Sequence, residues 1–268
     1  MGYEHLICEK DRSAHIATVT LNRPEKLNAI DRQMHQEIMA LGNDLQQDDD
    51  IWVIIWTGKG RGFCSGADVV DGARFKLEKD TPLNDRLTED HWNSTQGKML
   101  YEIDKPMIAA VNGVAAGAGY SLALSCDIRV GSEEARFTTI YSRRNLPPEG
   151  GMSYMLPRIV GMGRAMDLML TSRMVGAEEA YRMGLLDRLV KPDDLLSTAR
   201  EIAKQMTEIP PAASRITKRT IRRAMDDDFN SSSSYEVYSG KLTAMTPKDG
   251  EEARLSFDEK RKPKFIGR

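Results

Sequence analysis

Pro106-Met-Ile-Ala-Ala-Val-Asn-Gly-Val-Ala-Ala-Gly-Ala-Gly-Tyr-Ser-Leu-Ala-Leu-Ser-Cys-Asp127 is the stretch whose pattern decides the fold. Met107 to Val111 reads as a buried strand, the glycines at 113, 117 and 119 punctuate a turn, and an apolar helix follows to about Cys126. A glycine-rich turn that opens a helix leaves the first N–H groups without intrahelical partners, pointing outward with the positive end of the dipole behind them. Such a turn is an anion or oxyanion site made of backbone. A second candidate lies upstream, where the strand Ile51 to Thr57 runs into Gly58-Lys-Gly-Arg-Gly-Phe-Cys-Ser-Gly-Ala-Asp68. Two such turns facing each other would hold one developing negative charge from two sides.

Working outward, residues 3–9 and 14–20 alternate around Lys10-Asp11-Arg12 and read as a hairpin. Asp31 is placed to cap a helix to about Gln47 that buries Met34, Ile38, Leu41 and Leu45. Further strands fall near 106–111 and 127–130, and strands alternating with helices give an α/β class. Residues 69–98 are polar and weakly periodic. They read as a helical excursion beside the site, of the kind that orders on ligand binding. Beyond about residue 190 the pattern is all helix, at 192–207, 211–228, 234–246 and 248–262, with Ser231 to Ser234 as a short linker. The expected division is a core at 1–190 and a helical C-terminal region at 191–268.

The 268 residues, 40% of them hydrophobic, suffice for a large core. A formal net charge of −2 provides no basic footprint for nucleic acid or an anionic membrane. The three cysteines, at 8, 64 and 126, form no paired framework and read as reduced thiols. No apolar run reaches the roughly 18 residues of a membrane span, and the charged N-terminus is not a signal peptide, so a cytoplasmic protein is expected. The four histidines are scattered without ligand spacing, so no metal is expected. Gly58-Lys-Gly-Arg-Gly62 is not a dinucleotide fingerprint, because the third glycine position is Phe63.

Phe63-Cys-Ser-Gly-Ala-Asp68 and Val111-Asn-Gly-Val-Ala-Ala-Gly-Ala-Gly119 with Cys126-Asp127 resemble the enoyl-CoA hydratase/isomerase (crotonase) superfamily. So do the opening Leu21-Asn-Arg-Pro-Glu-Lys-Leu-Asn-Ala29 and the ending Glu259-Lys-Arg-Lys-Pro-Lys-Phe265. The resemblance covers roughly residues 4–265. It implies a spiral of repeated ββα units with a helical C-terminal oligomerisation region, assembled as homotrimers or hexamers. It implies an acyl-CoA substrate, with coenzyme A arriving as part of the thioester and no tightly bound cofactor.

In that family the thioester carbonyl lies in an oxyanion hole whose donors map to the N–H groups of Ala67 and Ala118. The usual residue at 118 is glycine, so alanine there requires an ordinary negative φ or tolerated strain. Family hydratases carry glutamates at the positions of Ser121 and Tyr141, neither of which is a carboxylate, and this counts against ordinary hydration. Asn145-Leu-Pro-Pro-Glu-Gly-Gly-Met152 instead places Glu149 in a turn before a helix, resembling the Δ3,Δ2-enoyl-CoA isomerase type, where a single glutamate shuttles the proton. The competing reading of Glu149 is a first-turn acid that balances the helix dipole. Coenzyme A binding maps to Lys26, Leu27, Ala29, Gly66, Ala67, Asp68 and Lys260, with Arg61 and Lys264 as further phosphate partners. Ser121, Tyr141 and Phe257 are candidate pocket residues, Phe257 in its own or a neighbouring subunit. Asp68 is expected to brace its own loop through local backbone bonds, and Cys64 to be buried packing. The leading expectation is therefore isomerisation of 3-enoyl-CoA to 2-enoyl-CoA with Glu149 as proton shuttle. The alternatives are hydratase, hydrolase or ring-isomerase activity on an unusual acyl group, and a catalytically silent acyl-CoA-binding module.

Overall fold

The computed structural model describes residues 2–69 and 92–268. The chain opens with the hairpin β1 (Leu6–Asp11) and β2 (Ile16–Leu21), paired antiparallel with Leu6 opposite Leu21. Asp31 caps α1 (Arg32–Gln47) by accepting the Met34 N–H at 2.8 Å, and Met34, Ile38, Leu41 and Leu45 bury one face. Next come β3 (Val53–Gly58) and β4 (Gly62–Cys64), then α2 (Trp92–Glu102). Of the excursion expected at 69–98, residues 70–91 lie outside the described residues and 92–98 belong to α2. The pattern repeats as β5 (Met107–Val111), β6 (Val114–Ala116) and α3 (Ala118–Ser125), and again as β7 (Ile128–Ser132), β8 (Arg136–Thr138) and α4 (Met152–Val160). The core is completed by α5 (Met162–Thr171), β9 (Val175–Gly176), α6 (Ala177–Arg182) and β10 (Arg188–Val190).

From β3 onward, each ββα unit gives its first strand to one sheet and its second to another. The larger sheet runs β1-β2-β3-β5-β7-β10, parallel from β2 onward; the smaller runs β4-β6-β8-β9 and is antiparallel only at β8–β9. This is the expected spiral. The larger sheet is covered on both faces. Ile54, Trp56, Met107, Ala109 and Val111 enter the main core, while Val53, Ile55, Ile108, Ala110 and Val130 pack under Leu195, Ala199 and Ala203 of α7 (Leu195–Thr207). Burial on both faces is why β3 and β5 read as unbroken apolar runs.

Three further helices follow, α8 (Pro211–Ala224), α9 (Phe229–Thr243) and α10 (Pro247–Asp258). Ser231 to Ser234 are not a linker: they form the first turns of α9. Asp228 caps that helix by accepting the N–H groups of Asn230 and Ser231 at 2.9 and 3.0 Å. With a capping aspartate ahead of it, the helix tolerates a run of serines that has little intrinsic preference for one. No helix of the described residues is long and apolar enough to cross a membrane.

α8 docks on the core through charge. Arg215, Lys218, Arg219 and Arg222 recur at helical spacing along one face. Asp104 accepts from Arg215 Nε at 2.7 Å and Arg219 Nε at 2.6 Å, and Asp127 pairs with Lys218 Nζ at 2.7 Å and Arg222 Nη2 at 2.9 Å. Asp127 also accepts the Met107 N–H at 2.7 Å, which ties the start of β5 to the same centre. Lys218 is buried, and that burial pushes its ammonium down to about 8. Removing one partner of a buried ion pair strands the other. Asp127→Ala is therefore expected to lower unfolding free energy by about 3–5 kcal/mol, read by urea denaturation; a change below about 1 kcal/mol would show that α8 is held by packing instead.

Candidate active site

The two glycine turns meet at a cavity of about 500 Å³ lined by Gly66 and Ala67 from one turn and Gly117 and Ala118 from the other. On the first turn, Gly66 O accepts the Ile30 N–H at 2.8 Å and Ile30 O accepts the Asp68 N–H at 2.8 Å. Because a trans peptide sets its C=O and N–H on opposite sides, the Ala67 N–H points away from Ile30. On the second turn, Gly117 O accepts the Ser121 N–H at 2.9 Å as the first bond of α3, so the Ala118 N–H points back out of the helix start. Gly117 takes φ +48° and relieves Ala118, which keeps an ordinary negative φ. The alanine at this position is accommodated by its neighbour.

The loop before α1 braces the first turn. Asn28 lies buried between them: its Oδ1 accepts the Arg23 N–H at 2.9 Å and its Nδ2 donates to Lys59 O and Gly62 O at 3.0 and 2.8 Å. Arg23 reaches Asp68 at 3.1 Å and Asp31 at 3.4 Å. Asp68 is thus held across the junction by a buried arginine, a long-range ion pair that the expectation of local backbone bonds did not include. Lys26, Leu27, Ala29, Gly66, Ala67 and Asp68 are brought to one junction, with Ser65 N donating to Leu27 O at 3.0 Å. Lys26 is exposed there, as a phosphate partner needs to be.

Glu149 also lines the cavity, half-buried, in the turn that precedes α4. Gly150 and Gly151 follow it at φ +63° and +77°, which explains why the turn carries two glycines. Ser121 is buried and donates from Oγ to the Glu149 carbonyl at 3.1 Å. Burial pushes the Tyr141 phenol up to about 12, so it stays neutral throughout the working range. Ile140, just before it, holds φ +58°, a strained conformation for a β-branched residue, and the Tyr141 N–H bonds back to Thr139 O at 2.8 Å. Cys64 lies fully buried behind the turn and its thiol is pushed up to about 12 by desolvation, which leaves it inert packing.

The sequence profile of the enoyl-CoA hydratase/isomerase family matches residues 11–268. The chain belongs to the enoyl-CoA hydratase/isomerase family. It is 36% identical over the full length of both chains to a Mycobacterium bovis protein named probable enoyl-CoA hydratase. It is 33% identical to the 1,2-epoxyphenylacetyl-CoA isomerase of Escherichia coli, covering 94% of this chain and 95% of that one. It is also 33% identical to the short-chain-enoyl-CoA hydratase of Clostridium acetobutylicum, covering 98% and 97%. Among solved structures, the enoyl-CoA hydratase of Bacillus anthracis superposes with a TM-score of 0.89 at 28% identity, over 99% of this chain and all of the other.

Within this family member the expected site residues divide. Ala67, Ala118, Tyr141 and Glu149 share the cavity, and Ser121 lies directly behind Glu149. Phe257 does not line it: the ring is 84% exposed on α10. Lys260 is exposed just after the same helix. Among the described lining residues, Val69, then Trp92 and Asn93 at the start of α2, and Ile140, Arg144 and Leu146 went unseen in the sequence. Asn93 had no sequence signal, since a lone Asn in a polar, weakly periodic segment points nowhere.

Glycine at 97 sets the approach of α2 to the Glu149 turn. A Cβ there would fall 2.7 Å from Gly150 O and 2.8 Å from Gly150 Cα, both backbone atoms. Gly97→Ala is expected to lower kcat/KM at least tenfold by displacing Glu149, whereas Gly163→Ala, where a Cβ meets nothing within 4 Å, leaves it unchanged. Equal activity in the two variants would disprove the positional constraint.

Proposed function

We propose that this acyl-CoA enzyme isomerises 3-enoyl-CoA to 2-enoyl-CoA. One observation carries the reading: among the described residues, Glu149 is the single carboxylate lining the cavity that the Ala67 and Ala118 N–H groups face. A one-base reaction needs no more. Glu149 takes a C2 proton, the electron pair moves to the thioester oxygen, and the dienolate is held by the two backbone donors. The same carboxyl then delivers the proton to C4 as the pair returns and the double bond settles between C2 and C3. Each donor is worth about 3–4 kcal/mol in the transition state. Coenzyme A enters and leaves with the acyl group, near Lys26 to Ala29 and with Lys260 as a phosphate partner, and no resident cofactor takes part.

Hydration is the second reading, favoured by the names of the Mycobacterium and Clostridium relatives. Glu149 would then activate a water without the second carboxylate that the positions of Ser121 and Tyr141 lack. Exposed Phe229, Val237, Tyr238 and Phe257 on α9 and α10 suit burial between subunits of a homotrimer or hexamer, with 191–268 as the associating region.

The test uses trans-3-hexenoyl-CoA and crotonyl-CoA with the wild type and Glu149→Gln. Conversion of the 3-enoyl substrate that falls by about 10³-fold or more in the variant supports the isomerase and its base. Hydration of crotonyl-CoA at an ordinary enzymatic rate, with the 3-enoyl substrate untouched, would replace it with the hydratase reading.

A further inference from the structure

We infer that Asn93, acting with Tyr141, is the positioning residue that holds the Glu149 carboxylate in line for proton transfer, an inference that rests on Glu149 being the base. Asn93 Nδ2 donates to Tyr141 Oη at 3.1 Å and to Glu149 Oε2 at 3.4 Å. The two hydrogens of one amide nitrogen therefore span the phenol and the carboxylate. Asn93 is itself 2% exposed, so this donor is committed to the site and not to solvent.

The surroundings are built to permit the contact. A Cβ on Gly150 would fall 2.9 Å from Asn93 Oδ1 and 3.0 Å from Ser121 Oγ, and a Cβ on Gly97 would strike Gly150 itself. Both glycines are needed for α2 to reach the turn. Tyr141 is fixed in turn: its hydroxyl accepts from Asn93, and the left-handed Ile140 sets the direction from which it enters. Ser121 holds the backbone of the same turn by donating to the Glu149 carbonyl. The two positions at which family hydratases carry glutamates hold, in this chain, hydroxyl groups that support a carboxylate contributed from elsewhere. A carboxylate that must reach C2 and then C4 of one substrate gains from a donor that fixes one oxygen and leaves the other to carry the proton.

Among the described residues, the titratable and charged groups that line the cavity with this carboxylate are Tyr141 and Arg144. Cys64 lies behind the first turn, and His35 packs edge-on against Trp92 with ring centroids 5.4 Å apart.

The experiment compares Asn93→Ala, the isosteric Asn93→Asp, Tyr141→Phe, the Asn93→Ala/Tyr141→Phe pair and Glu149→Gln on trans-3-hexenoyl-CoA, with thermal unfolding run on each. Asn93→Ala is expected to lower kcat by about ten- to a hundredfold with KM within about threefold. Asn93→Asp, which keeps the shape but replaces the donor with a like charge, is expected to lower kcat at least as far. The double variant loses less than the product of the single effects, because the two residues serve one carboxylate. Folded Asn93 variants with wild-type kcat would overturn the positioning role while Glu149→Gln is still inactive. An active Glu149→Gln would overturn the base and the positioning role together.

Discussion

The site depends on how closely the two glycine turns approach each other. A Cβ at Gly119 would lie 2.3 Å from Cys64 O, and one at Gly66 would lie 2.9 Å from Ala116 O. No side chain fits at either position without moving backbone. That contact brings the Ala67 and Ala118 N–H groups to one cavity although 51 positions separate them in the chain. Both N–H groups belong to the backbone, and their relation is fixed by two strands, β4 and β6, that pair in one sheet.

Everything around the turns fixes that relation. The larger sheet, packed on both faces, carries β3 and β5 side by side, so the turns that leave them are registered by strand pairing. The Arg23, Asn28 and Asp68 cluster locks the opening loop to the first turn. Asp127 fastens the start of β5 to α8 through Lys218 and Arg222. The buried charges at these two places are each ion-paired.

The parts legible in the sequence were those with a local cause. Met107–Val111 shows its strand because both faces are apolar, and Asp31 shows the start of α1 because a cap is a one-residue signal. The two close-packed turns were legible through glycine, since close approach leaves little choice of residue. Ser231–Ser234 misled because serine's weak propensity was outweighed by the Asp228 cap. The ion pair of Asp68 with Arg23 was not legible because Arg23 is 45 positions earlier and no local pattern joins them. Asn93 was missed for the same reason in a stronger form, since its role is defined by Tyr141 and Glu149, 48 and 56 positions away. Motifs report backbone requirements well and long-range side-chain partnerships poorly.

The central claim is that both turns grip one thioester oxygen. The most direct measurement is a crystal structure of the protein with acetoacetyl-CoA, whose enolate mimics the reactive species. The account predicts the thioester oxygen about 3 Å from both the Ala67 and the Ala118 nitrogen. An oxygen bound to one of them alone, or facing away from both while the acyl chain fills the cavity, would contradict it.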